Sequence, residues 1–135
     1  MPDKGAKRIT KEGTVREKRS RSGELAVLTD SNFYSEVIKH KLMVVDFWAQ
    51  WSCRCSEVSP IMQELANEYT GKVTFGKLNV DDNPVISDTF GVDKIPAILV
   101  FKRGRPVNGS IGSVEKSYIE SRIKPYLEDN PNSVD

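Results

Sequence analysis

Cys53 and Cys55 are the only cysteines of the chain, one residue apart where an apolar run gives way to a helical pattern. The stretch 44–60 reads Val-Val-Asp-Phe-Trp-Ala-Gln-Trp-Ser-Cys-Arg-Cys-Ser-Glu-Val-Ser-Pro. A helix N-terminus carries partial positive charge, so a thiol placed there favours thiolate, the form that attacks disulfides. Arg54, between the two sulfurs, adds a guanidinium that favours thiolate further. Ser52 suits the N-cap, where its hydroxyl accepts a backbone N–H two or three residues on. From that cap, Cys53 and Cys55 are the first and third helical residues. At about 100° per residue their side chains diverge by roughly 200°, so a disulfide between them requires the first turn to deform. A strained disulfide is readily reduced, which predicts an oxidant or isomerase rather than a strong reductant. Cys53 is the expected attacking thiol and Cys55 the resolving one. The competing reading is a redox-inactive binding or scaffold module, with Cys55 a small core residue and Cys53 incidental.

The elements that must position these thiols follow from hydrophobic periodicity. Leu25–Leu28 predicts a strand, and Thr29-Asp30-Ser31 offers caps to a helix with Phe33, Val37 and Ile38 on one face. His40, the only histidine, is expected to be exposed at the end of that helix. Leu42 to Trp48 reads as a central strand buried on both faces. Asp46 lies inside it, where desolvation should raise its pKa. Residues 53–70 predict a helix kinked at Pro60. Val73 to Val80 predicts a strand, and a short helix opens around Pro84. Ala97 to Phe101 and Val107 to Ile111 predict two strands joined by a turn over Arg103-Gly-Arg-Pro106, and Val114 to Leu127 a final helix with Pro125 an irregularity. Alternation followed by a hairpin and a helix implies an α/β domain, a mixed sheet with helices on both faces.

Length and composition bound the rest. The 135 residues suffice for one domain with a sizeable core. No apolar run, Leu42 to Val45 included, is long enough to span a bilayer, and the charged N-terminus lacks an apolar leader segment. Two cysteines so close cannot staple a scaffold, so a reducing, cytoplasmic compartment is expected. Charge is uneven: residues 1–23 hold eight Lys or Arg against three acids, the rest twelve against sixteen. The first segment has too little apolar surface to offset ordering entropy and is expected to be a disordered basic tail. It has no aromatic residue to stack on bases, so nucleic acid is not the expected partner. The expected organisation is tail 1–23, domain 24–129 and flexible C-terminus 130–135, acting as a monomer.

Taken in order, residues 25–128 resemble the thioredoxin family. The resemblance rests on Asp46, Trp48, Trp51, Pro60, Lys77 in Lys-Leu-Asn-Val-Asp, Asn83-Pro84, Gly91-Val-Asp-Lys-Ile-Pro96, Phe101-Lys-Arg-Gly104 and Ile111-Gly112. It implies a thioredoxin-like three-layer fold, a central five-stranded mixed sheet flanked by four helices. The family's Trp-Cys-Gly-Pro-Cys reads Trp51-Ser52-Cys53-Arg54-Cys55 here. Ser52 therefore stands at the family's nucleophilic cysteine, and Cys55 at its buried second one. The resemblance further implies a proton exchange between Asp46 and Cys55 helped by Lys77, a cis bond at Ile95-Pro96, and an apolar groove of Trp51, Ser52, Val80, Ile95, Pro96, Ile111 and Gly112. Lys94 at the groove rim, where the family often has glycine, carries a charge that either favours acidic partners or hinders reductase docking. The implied function is thiol–disulfide oxidoreduction on protein disulfides for redox homeostasis, with a thioredoxin-reductase-type electron donor and neither metal nor organic cofactor.

Overall fold

The chain was described as a computed structural model over residues 23–112 and 115–127. Its elements are β1 (Leu25–Leu28), α1 (Phe33–Lys39), β2 (Leu42–Trp48), α2 (Cys53–Glu68), β3 (Thr74–Asn79), α3 (Pro84–Thr89), β4 (Ala97–Lys102), β5 (Arg105–Ile111) and α4 (Lys116–Ile123), with a 3₁₀ turn at Lys124–Tyr126. The expected tail and C-terminal segments, and Val114 as a helix start, lie outside the described residues. The five strands form one sheet in the order β1-β3-β2-β4-β5. β1 and β2 run parallel to β3, whereas β4 is antiparallel to both β2 and β5.

This order explains the layers. The step from β1 to β2 moves across the sheet past β3, and the step from β2 to β3 moves back. Right-handed crossovers in opposite directions place their helices on opposite faces. Accordingly Met43, Val45 and Phe47 pack with Phe33, Val37 and Ile86 of α1 and α3. Leu42 and Val44 pack with Val58, Met62 and Leu65 of α2 and Ile119 and Ile123 of α4. β2 is buried on both faces, which is why it reads as an unbroken apolar run. The Tyr69 hydroxyl donates to Glu120 at 2.7 Å, and Lys116 pairs with Glu64 and Glu68, bracing α2 against α4.

Several expectations are corrected. The hairpin turn is only Arg103-Gly104, both at positive φ, so β5 already begins at Arg105. Pro106 pairs with Phe101 in this edge strand, and the bulge beside it passes over Val107. Asp30 caps α3 rather than α1, its carboxylate accepting from the N–H groups of Val85 (3.1 Å) and Ile86 (2.8 Å). The N-cap of α1 is Asn32. His40 is half-buried, its Nδ1 3.2 Å from Thr74 Oγ1 and its Nε2 3.8 Å from Glu36 Oε1. α2 holds Pro60 inside it as expected and ends at Glu68, two residues short of the expected position 70. The last helix ends at Ile123 because Pro125 brings no N–H, and the chain tightens into 3₁₀ geometry.

Candidate active site

The topology collects four segments at one end of the sheet. β2 and β3 are parallel, so the loops leaving them lie side by side, and the Val80 N–H donates to the Trp48 carbonyl at 2.9 Å. β4 begins at that same end, and β5 finishes there. The loop before β4 contains the cis peptide bond Ile95–Pro96, and Gly112 after β5 donates its N–H to the Pro96 carbonyl at 2.8 Å. Residues 49–54, 80–83, 95–96 and 111–112 are thus neighbours, although they span most of the domain in sequence. The end of a sheet where strand order reverses direction is where open α/β folds place ligands.

Ser52 has extended backbone geometry and caps α2, its Oγ accepting the Cys55 N–H at 3.4 Å. The Ser52 carbonyl accepts the same N–H at 3.2 Å. Cys53 and Cys55 are therefore the first and third helical residues, both as free thiols. Helical rotation separates them: Cys53 is exposed and Cys55 is 3% exposed. One sulfur faces any visitor while the other lies inside the domain.

Asp46 is 3% exposed on the face of β2 that α2 covers, near the strand end from which α2 departs. Its Oδ1 has no hydrogen-bond partner among the described residues. Burial pushes the carboxyl up to about 7, against the opposing pull of Lys77. Lys77 is its register neighbour on β3, with Nζ 5.9 Å from the centroid of the Trp48 ring. A carboxyl in this state exchanges protons near neutrality.

Trp51, Val80, Ile95, Ile111 and Gly112 line one shallow groove of about 480 Å³; Cys53 does not line it, but its sequence neighbour Arg54 does. Ser52 and Pro96 do not line it: Ser52 is occupied as the cap, and Pro96 is buried behind the cis bond. Trp51 is 69% exposed, and its indole N–H donates to Asp81 at 2.9 Å, which holds the ring against the β3–α3 loop. Arg54 reaches across the groove, donating from Nη2 to the Gly112 carbonyl. Sequence reasoning missed Val92 and Asp93, which also line the groove, and Asp81 as the anchor of Trp51. Asp81 carried a signal only as part of a helix start. A second cavity of about 500 Å³ lies at the other end of the sheet around His40, Thr74 and Tyr126, and none of the candidate site residues lines it.

A family model described as Thioredoxin matches residues 24–125. Curated relatives agree with it. A thioredoxin of Pyropia yezoensis is 43% identical over 101 residues, covering 74% of this chain and 94% of the relative. One from Alicyclobacillus acidocaldarius subsp. acidocaldarius is 41% identical over 101 residues, 75% of this chain and 96% of the relative. A chloroplastic M-type thioredoxin of Brassica napus is 37% identical over 124 residues, 91% of this chain and 70% of the relative.

Proposed function

The chain belongs to the thioredoxin family, and from that premise we propose a thiol–disulfide oxidoreductase that acts on protein disulfides through Cys53 and Cys55. Membership supports thiol–disulfide chemistry in general, and the shifted pair is this chain's own feature. The observation that carries the reading is the exposed thiol at the first turn of α2, backed by a buried thiol two residues on and flanked by an apolar groove.

In the first step the Cys53 thiolate attacks one sulfur of a partner disulfide. The partner S–S bond breaks, a Cys53–partner bond forms, and the other partner sulfur leaves as a thiolate that takes up a proton. In the second, Cys55 loses its proton to Asp46 and attacks the Cys53 sulfur. The partner's second sulfur departs, the pair becomes a disulfide, and two electrons have passed to the partner. An external dithiol or a reductase-type donor must then return those electrons. The second step requires the first turn of α2 to open, breaking the bonds from the Cys55 N–H to Ser52. A mixed disulfide that lingers gives a partner's own further thiol time to resolve it, which favours isomerase-type turnover.

Ser52→Cys tests this account of the slow step. The cap and the third helical residue point within about 60° of each other, so a thiol at position 52 meets Cys55 without unwinding the turn. Insulin-type disulfide reduction is expected to rise about tenfold, equivalent to about 1.4 kcal/mol off the barrier. An unchanged rate removes turn opening as the limiting event.

We infer a monomer in the cytoplasm, since two cysteines one residue apart cannot staple a scaffold and suit a reducing compartment. Fractionation that finds it in a plastid, the compartment in the Brassica relative's name, overturns that placement.

A further inference from the structure

We propose that the groove selects partner segments carrying a carboxylate beside the cysteine that Cys53 attacks, and that Arg54 is the residue that reads it. The oxidoreductase reading fixes where the partner lies; the charge preference stands on the groove itself.

Arg54 is the second residue of α2, and its side chain is exposed. Its guanidinium is held by a neutral acceptor, the Gly112 carbonyl on the opposite wall of the groove. One carbonyl uses a small part of the five-donor fork, whereas a carboxylate accepts two parallel bonds, each charge-assisted and about twice as strong. A partner carboxylate therefore displaces Gly112 with net gain. An amide gains little by the same exchange, and an ammonium is repelled. Lys94 adds a second cation to the lining, and Asp93 is the one carboxylate among the lining residues. The nearby Asp81 already accepts from Trp51. Two cations face one carboxylate in the lining, and Asp81 just outside it keeps its charge, so selection rests on the free donors of the Arg54 fork rather than on the net charge of the rim. An extended segment advances about 3.3 Å per residue, so side chains within about two positions of the attacked cysteine pass Arg54.

The test uses the full chain, reduced, against peptide disulfides that are identical except for Glu, Gln or Lys beside the cysteine. Rates of Cys53 attack are expected to fall from Glu to Gln to Lys, spanning about five- to tenfold at low salt and less at high salt. Arg54→Met should bring the Glu-to-Lys ratio close to one, Arg54→Lys should keep part of it, and Lys94→Gln should lower it less than Arg54→Met does. Equal rates for Glu and Lys peptides in the unaltered protein overturn the proposal, as does a ratio untouched by Arg54→Met. If no peptide reacts, the oxidoreductase reading fails instead. Binding of the same peptides with serine for cysteine, read by tryptophan fluorescence, then decides the charge preference: tighter Glu binding upholds it, and equal binding overturns it.

Discussion

Cys53→Ser is expected to bring disulfide reduction down to the rate of protein-free solution, whereas Cys55→Ser should leave the first attack intact and halt after it. A serine hydroxyl has no appreciable anionic fraction at neutral pH, while even an ordinary thiol holds a few per cent thiolate and is intrinsically nucleophilic. The two positions are not equivalent, because Cys53 meets solvent and Cys55 is enclosed. With Cys55→Ser, the partner stays attached to Cys53, so mass spectrometry should find a stoichiometric adduct that a small thiol releases. Folding is a control rather than a confounder. Cys53→Ser at an exposed site should change stability by less than about 0.5 kcal/mol. Cys55→Ser buries a hydroxyl and costs about 1–3 kcal/mol if it finds no partner, so Cys55→Ala serves beside it. Activity retained by Cys53→Ser, or no adduct on Cys55→Ser, removes Cys53 as the nucleophile. Absence of activity in the unaltered protein and in Ser52→Cys alike would favour the binding module.

The difference between what could be read from residues and what required coordinates follows from the range of the interactions. β2 was legible because burial on both faces writes an unbroken apolar run, and the start of α2 because Ser52 is a good cap one residue before the helix. Both signals are local. Asp46 was legible as buried because its neighbours along the strand are apolar, yet the lone Oδ1 depends on what elements distant in sequence fail to offer it among the described residues. Arg54 illustrates the limit. Sequence proximity places its charge beside the sulfurs, but its guanidinium binds a carbonyl 58 positions away, a contact created only by β4 and β5 folding back along β2. The Trp51–Asp81 and Asp30–Ile86 bonds span 30 and 56 positions and were equally silent. The hairpin was misjudged for a different reason. Arg103 at φ 51 adopts a left-handed conformation that its residue type does not advertise, and Pro106 reads as a turn residue although an edge strand with a bulge accepts it.

Asp46→Asn is expected to stabilise the protein in alkaline but not in acidic solution while slowing its chemistry. The carboxyl ionises near 3.8 when exposed and near 7 in the fold, because burial penalises the charged form more than Lys77 favours it. Between those values the native state binds more protons than the unfolded one, so stability falls as pH rises through the window and stays low above it. The rise from 3.8 to about 7 corresponds to about 4 kcal/mol by pH 8. Asparagine cannot ionise, so the variant loses that slope. Urea unfolding at pH 4 should find the two proteins within about 1 kcal/mol, and at pH 8 the variant should be ahead by several, the asparagine amide's own burial taking back part of the gain. A difference that is flat from pH 4 to 8 refutes the buried, raised carboxyl. The kinetic half is separable: release of the partner thiol from a preformed mixed disulfide should slow about tenfold or more, since Cys55 loses its proton acceptor. A variant that is stabilised yet unslowed keeps Asp46 as a buried acid and takes it out of the proton path. One both stabilised and slowed means the fold retains a destabilising carboxylate because the second sulfur needs it.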